Sequence, residues 1–198
     1  MLVKRGPLIL GAVLVPLGWL VSAFGMTGHM AGHMLAVAIA APLLAWGVTG
    51  SRLDPACRIG GIVRPMPMML LELATVWLWH LPQLRALVQA SPLVMALEQA
   101  SFLVAGFLLW CAALQAESRA AGIGVLLLTS MHMTLLGVLI GLAPRPLYIC
   151  GPAPFGLDAL SDQQLGGVVM FLAGGAAYLV GGLALLGSIL KAETREPA

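Results

Sequence analysis

HMAGHMLAVAIAAPLLAWGVT, residues 29–49, decides the fold class because it carries no Lys, Arg, Asp or Glu. A helix needs about twenty such apolar residues to cross the ~30 Å hydrocarbon core of a bilayer. Six apolar runs of about this length follow one another along the chain, at roughly 8–24, 29–49, 66–82, 93–115, 122–143 and 165–190. We therefore predict a single all-α domain over residues 1–198, a polytopic transmembrane bundle of about six helices rather than a β-barrel.

The overall composition agrees with a membrane protein. Of the 198 residues, 60% are hydrophobic and 9% are charged, whereas soluble domains carry about 25% charged residues. The net charge of +2 is small and spread over the loops between the apolar runs. We therefore expect membrane lipid, and no nucleic acid, among the partners.

The basic residues predict the orientation, because cytoplasmic loops are enriched in Lys and Arg. Eight of the ten lie on the side of the termini, namely Lys4, Arg5, Arg52, Arg58, Arg64, Arg119, Lys191 and Arg195. Only Arg85 and Arg145 lie on the other side. Both termini are thus expected in the cytoplasm of a bacterium, with the protein in its inner (plasma) membrane. Residues 8–24 could instead be a signal peptide with a cleavage site near Gly25, and this alternative stays open.

Residues 144–164 form a long outer loop with Tyr148 and Phe155 as possible interfacial anchors. The loop could be a lid or binding loop, or an ordinary loop resting on the lipid headgroups. Its end, Ser161–Gln164, matches a capping box with Ser161 as the cap of the last helix. The three cysteines include no C-x-x-C-H motif, which excludes covalent haem c, and no disulfide is expected.

The second apolar run begins with a strip of sulfur and imidazole groups. At ~100° per residue, the side chains on one face lie within an arc of about 140°. They are Met26, His29, Met30, His33 and Met34. Gly28 and Gly32 lie on the opposite face, where a neighbouring helix could pack closely. Thioether and imidazole donors together favour Cu(I), although methionine is also a common core residue.

Four further polar residues lie inside apolar runs, where a charged carboxylate costs ~2.5–3.5 kcal/mol on insertion scales. They are Glu72, His80, Glu98 and His132. Their depths indicate two tiers. The outer tier would hold His29, His33, His80, Glu98 and Asp162, and the inner tier Glu72 and His132. The tiers could bind metal, or their members could be hydrogen-bond partners between helices. Asp162 could also serve only to cap the last helix.

Four ordered motifs resemble the CtaG family of membrane assembly factors for cytochrome c oxidase, the group associated with the caa3-type enzyme. They are HMAGHMLAVAIAAPLL at 29–44, VWLWHLP at 76–82, SMHMTLLGVLIGLAPRPLY at 130–148 and DQQLGGVVM at 162–170. The resemblance implies help in supplying copper to the CuB centre. It also implies that His29, His33, His80 and His132 are copper ligands, with Asp162 as a weaker candidate. The six runs fall short of the seven helices usual in the family, which leaves the client oxidase open.

We therefore expect a protein that catalyses no reaction. It would hold Cu(I) near the periplasmic face with His29, His33, His80 and the thioethers of Met26, Met30 or Met34, and pass it to haem-copper oxidase subunit I. A periplasmic copper chaperone is a further partner to consider. Two alternatives stay open: a subunit that binds b-type haem and transfers electrons, and a transporter of metal or protons through Glu72 and His132.

Overall fold

The computed structural model describes residues 3–148 and 150–193, and within this part the chain is all α-helical and contains no β-strand. This confirms the predicted fold class. The first four helices are α1, Arg5–Val21; α2, Gly25–Val48; α3, Pro55–Arg58; and α4, Pro65–Trp79. The next three are α5, Pro82–Ala90; α6, Pro92–Leu114; and α7, Arg119–Gly141. The last, α8, comprises Ala159–Val169, a π-helical turn at Met170–Gly174, and Gly175–Glu193.

Four helices are long and apolar enough to cross a membrane. They are α2, α6, α7 and the Ala159–Lys191 part of α8. Helix α1 is apolar but has 17 residues, and α4 has 15, so each is shorter than the about twenty residues that a perpendicular span requires. The protein is therefore a membrane protein with four clear candidate spans. A total of about six spans and cytoplasmic termini remain predictions, and Arg195 lies outside the described residues.

Two helix boundaries differ from the sequence prediction for local reasons. The last helix begins at Ala159 instead of 165, and its N-cap is Asp158, whose carboxylate accepts hydrogen bonds from the Leu160 and Ser161 amides. The third predicted run ends at Trp79, and after a turn a separate helix, α5, begins with proline at its first position. Proline is favourable at the first position of a helix because the amide hydrogen that it lacks would have no partner within the helix there.

Glycines let four of the helices approach closely in two pairs, as the sequence predicted for Gly32 of α2. Gly32 of α2 lies against the Gly18 carbonyl of α1, and a Cβ at Gly32 would collide with that oxygen. At the crossing of α7 and α8, a Cβ at Gly167 would lie 2.5 Å from the Gly141 nitrogen. Small residues at such crossings allow backbones to pack closely in membranes, so α1 and α8 hold α2 and α7 in place.

A π-helical segment, Leu35–Ala40, interrupts α2 directly after His33 and Met34. A π-turn shifts the regular hydrogen-bond pattern and is often found at functional sites. Here the Val37 carbonyl accepts a hydrogen bond from Trp110 Nε1 at 3.3 Å and one from Tyr178 OH at 3.4 Å. The two aromatic side chains, which stack on each other, thereby fix the helix just below the histidines.

Candidate metal centre

Three imidazole rings meet in the interior near one end of the bundle. His29 and His33 lie one turn apart on α2, and His80 follows the last residue of α4. Their ring centroids are 6.4 Å apart for His29–His33, 5.6 Å for His29–His80 and 5.4 Å for His33–His80. The three side chains are buried, with at most 4% of the residue surface exposed. We call this cluster the histidine triad.

The spacing of the triad is close to that of three imidazoles bound to one metal ion. With a metal–nitrogen bond of ~2.0 Å, the ion lies ~3.2 Å from each ring centroid, and two such rings at trigonal or tetrahedral angles have centroids ~5–5.5 Å apart. No three His, Cys, Asp or Glu side chains among the described residues already form a ready-made ligand set. The three imidazoles are therefore neighbours, with His29 and His33 farther apart than bound rings would be.

The ring nitrogens of the triad have almost no protein partners. Both nitrogens of His29, both of His33 and Nε2 of His80 are buried without a hydrogen bond, although buried polar atoms are normally paired. His80 Nδ1 lies 2.6 Å from the Val76 carbonyl oxygen. A hydrogen on Nδ1 donated to that oxygen leaves the Nε2 lone pair free, which is the arrangement that orients metal-binding histidines. The triad therefore has the unpaired donors that a metal ion would use.

Phe102 of α6 forms the apolar wall of the triad. Its ring stacks on His33 with centroids 3.9 Å apart and an interplanar angle of 15°. It also lies near the other two rings, at 6.2 Å from His29 and 6.0 Å from His80. Phe102 is fully buried, so it keeps water from the nitrogens and fixes the orientation of His33. No sequence pattern indicated this role, since one Phe in an apolar helix resembles any core residue.

Glu98, a candidate ligand, forms a buried ion pair with Arg85. Arg85 Nη1 donates to both carboxylate oxygens of Glu98 at 2.9 Å, and both side chains are buried. Glu98 Oε2 is 3.9 Å from His29 Nδ1. The carboxylate therefore borders the triad but is neutralised by Arg85. The amphipathic pattern of PQLRALVQA, residues 82–90, was the available signal that α5 lies on the bundle, but that pattern predicts that Arg85 faces outwards, whereas Arg85 is buried.

The three methionines of α2 are buried, and two of them, Met26 and Met34, contact α8. Met34 Sδ lies against Gly174 of α8, where a Cβ would come within 3.0 Å of the sulfur. Met26 Sδ is 4.0 Å from the sulfur of Cys150 in the outer loop. Met30 lies between these two on the same helix and is fully buried. The predicted sulfur and imidazole strip thus divides into a histidine side and a thioether side, and at ~100° per residue Met26 lies nearest the boundary.

Asp162 caps α2 instead of pointing freely towards the triad. Its carboxylate accepts hydrogen bonds from the Met26 amide at 2.6 Å and the Thr27 amide at 3.0 Å, so a residue in the first turn of α8 stabilises the start of α2. Gly25, with φ of 61°, makes the turn before these amides, and a Cβ at Gly25 would collide with the carboxylate. The role of Asp162 as a metal ligand stays a prediction.

His132 does not join the triad. Its Nε2 lies 2.9 Å from Glu72 Oε2, and both side chains are buried between α7 and α4. This pair is the predicted inner tier.

At the outer end, Tyr148 is buried and its hydroxyl donates to the His80 carbonyl at 2.8 Å, so this aromatic residue ties the outer loop to the triad. Phe155, the other aromatic residue of the loop, is 90% exposed.

The comparisons with known proteins give one match that extends over most of the chain. No curated protein and no solved structure gives a significant match to the chain. The model of one family, described as cytochrome c oxidase caa3 assembly factor (Caa3_CtaG), matches residues 7–192. This range includes all four histidines, Glu98 and Asp162. Because the match extends over nearly the whole chain, the protein belongs to the family of caa3-type cytochrome c oxidase assembly factors.

Proposed function

We propose that the protein binds Cu(I) at the histidine triad near the periplasmic face of the bacterial inner membrane and passes it to the CuB centre of haem-copper oxidase subunit I during assembly. The observation that carries this proposal is the burial of three neighbouring imidazoles, of which five of the six ring nitrogens lack a hydrogen-bond partner. A structural cluster of histidines would instead pair its nitrogens with backbone or side-chain groups.

The donor set suits Cu(I) as a cargo. Imidazole binds copper readily, whereas Mg²⁺ and Ca²⁺ prefer carboxylate, carbonyl and water oxygens. Three imidazoles at nearly equal spacing fit a trigonal ion, and Met30 is the thioether that lies between the two α2 histidines along the helix axis. Because Arg85 neutralises Glu98, the carboxylate adds no net negative charge that would attract harder divalent ions.

The same donor set suits release. The triad contains no cysteine, so the ion is not held by thiolates, the soft ligands that retain Cu(I) most strongly. An acceptor with three histidines of its own could take the ion by exchanging one imidazole at a time. This transfer requires no chemical reaction by the protein. A periplasmic copper chaperone is a suitable source of the ion.

The role in assembly can be tested in bacteria that lack the protein. Wild-type protein, a His29→Ala/His33→Ala variant and a Cys57→Ser control, altered at an exposed residue of the α2–α4 connection, are produced at equal levels in the membrane. The oxidase is then purified and its copper and haem are measured. We expect the histidine variant to yield oxidase that contains haem but lacks CuB, while the control restores both. Full CuB content with the histidine variant would contradict the proposal.

A further inference from the structure

A cavity of about 260 Å³ lies at the end of the bundle that carries the outer loop. Its wall includes Gly25 at the start of α2, Arg85 of α5, Met95 of α6 and Cys150 of the outer loop. Cys150 is partly exposed, whereas the histidines beneath are buried. The cavity therefore offers a thiol and a thioether to a solute before it reaches the triad.

A second thioether comes to the same thiol from inside the bundle. Met26 Sδ is 4.0 Å from Cys150 Sγ, and Met26 has only 1% of its surface exposed. Two metal–sulfur bonds of ~2.3 Å that enclose an angle of about 120° place their sulfur atoms ~4.0 Å apart. In the absence of metal the Cys150 thiol donates a weak hydrogen bond to the Met26 sulfur across this distance, and the same separation suits two sulfur ligands on one trigonal ion. Soft thiolate and thioether donors select Cu(I).

We propose that Cys150 and Met26 form an entrance site for Cu(I), separate from the histidine triad, at which the ion is captured before it moves inwards. This inference rests on the proposed function, since it names the residues through which copper reaches the triad. Met26 precedes His29 by three residues on α2, about 4.5 Å along the axis at a rise of 1.5 Å per residue. An ion released by Met26 therefore meets His29 within one helical turn.

The protons balance in both steps. On capture, Cu(I) replaces the hydrogen of the Cys150 thiol, which leaves to solvent through the cavity. On transfer to neutral imidazoles, the thiolate takes up a proton again from solvent, and no electron is exchanged.

The test measures how fast N-ethylmaleimide modifies Cys150 in the full-length protein in detergent, by mass spectrometry of its peptides. Cu(I) is added anaerobically with a competing chelator, and Cys57, which is exposed, is the internal reference. In a His29→Ala/His33→Ala variant, the triad lacks two of its ligands, so copper bound at the entrance site is not transferred to it. We expect one equivalent of Cu(I) to slow modification of Cys150 by about tenfold or more, because a thiolate bound to metal is not free to react.

Two comparisons complete the test. In the wild type, one equivalent should occupy the triad and leave Cys150 reactive, and a second equivalent should protect it. Adding Met26→Leu, a substitution of similar volume, to the histidine variant should abolish the protection. X-ray absorption of the copper-loaded histidine variant, which needs no change at Met26, should show sulfur neighbours at ~2.3 Å.

The outcomes separate the entrance site from the proposed function. Unchanged reactivity of Cys150 in the histidine variant, protection that survives Met26→Leu, or an absence of sulfur neighbours would overturn the entrance site. If copper binding by the wild type still requires the histidines, the proposed function remains intact. Protection of the wild type by the first equivalent, with no effect of the histidine substitutions, would support the entrance site and contradict the proposed function.

Discussion

Replacement of Arg85 by methionine should destabilise the protein strongly, because it leaves the buried Glu98 carboxylate without its cation. Arg85 Nη1 donates to both oxygens of Glu98 at 2.9 Å, and the two side chains are 7% and 0% exposed. Removing one partner of a buried pair costs about 3–5 kcal/mol. The double variant Arg85→Met/Glu98→Gln carries no uncompensated charge, so it should recover about 2 kcal/mol or more of this loss.

The free energy of unfolding can be followed by tryptophan fluorescence in mixed micelles with increasing denaturing detergent. Wild type, both single variants and the double variant form a double-mutant cycle. A cost below about 1 kcal/mol for Arg85→Met would show that the pair behaves like an exposed ion pair. A double variant as unstable as Arg85→Met would show that Glu98 is not the partner through which Arg85 acts.

Three further substitutions test the packing around the site. Gly167→Ala should cost about 1–3 kcal/mol of unfolding free energy by overpacking against the backbone of α7, whereas Gly187→Ala, with nothing within 4 Å of the added atom, should cost little. Asp162→Asn should lower stability by about 1–3 kcal/mol through weaker capping of α2. The copper bound per folded protein, measured by mass spectrometry, should stay unchanged. Loss of copper without loss of stability would make Asp162 a ligand. Phe102→Leu should free the His33 ring and weaken Cu(I) binding in a chelator competition, and unaltered affinity would refute the role of the stack.

Much of the architecture could be predicted from hydrophobic run length, because a helix must satisfy its own backbone in an apolar environment. The i, i+4 spacing of His29 and His33 likewise placed them on one face, and Gly28 and Gly32 on the face that packs on α1. The amphipathic helix α5 escaped this reasoning. Its residues 82–90 are too few and too polar to resemble a span, so its position against α6 depends on tertiary contacts.

Only some of the residues that form the site could be predicted from the sequence. Helical periodicity fixes angles within one helix but not the rotation of one helix against another. Three contacts of the site depend on that rotation: the approach of His80 to the α2 histidines, the stacking of Phe102 on His33, and the ion pair of Glu98 with Arg85. Depth alone grouped Asp162 with the histidines, whereas the structure uses its carboxylate to cap α2. The thiol of Cys150 could not be related to Met26 because they are far apart in the sequence.

The most direct measurement is the amount of copper bound per protein after anaerobic loading with one equivalent of Cu(I) in detergent and removal of free metal. It should be made in a Cys150→Ser background, which removes the proposed entrance site, on the otherwise unchanged protein, with His29→Ala/His33→Ala, with His80→Ala, and with His132→Gln as the control for an imidazole outside the triad. We expect about one copper per protein with the triad intact, including in His132→Gln, and loss of copper with either triad substitution. Retention of copper without the triad histidines, or no retained copper with the triad intact, would contradict the proposal.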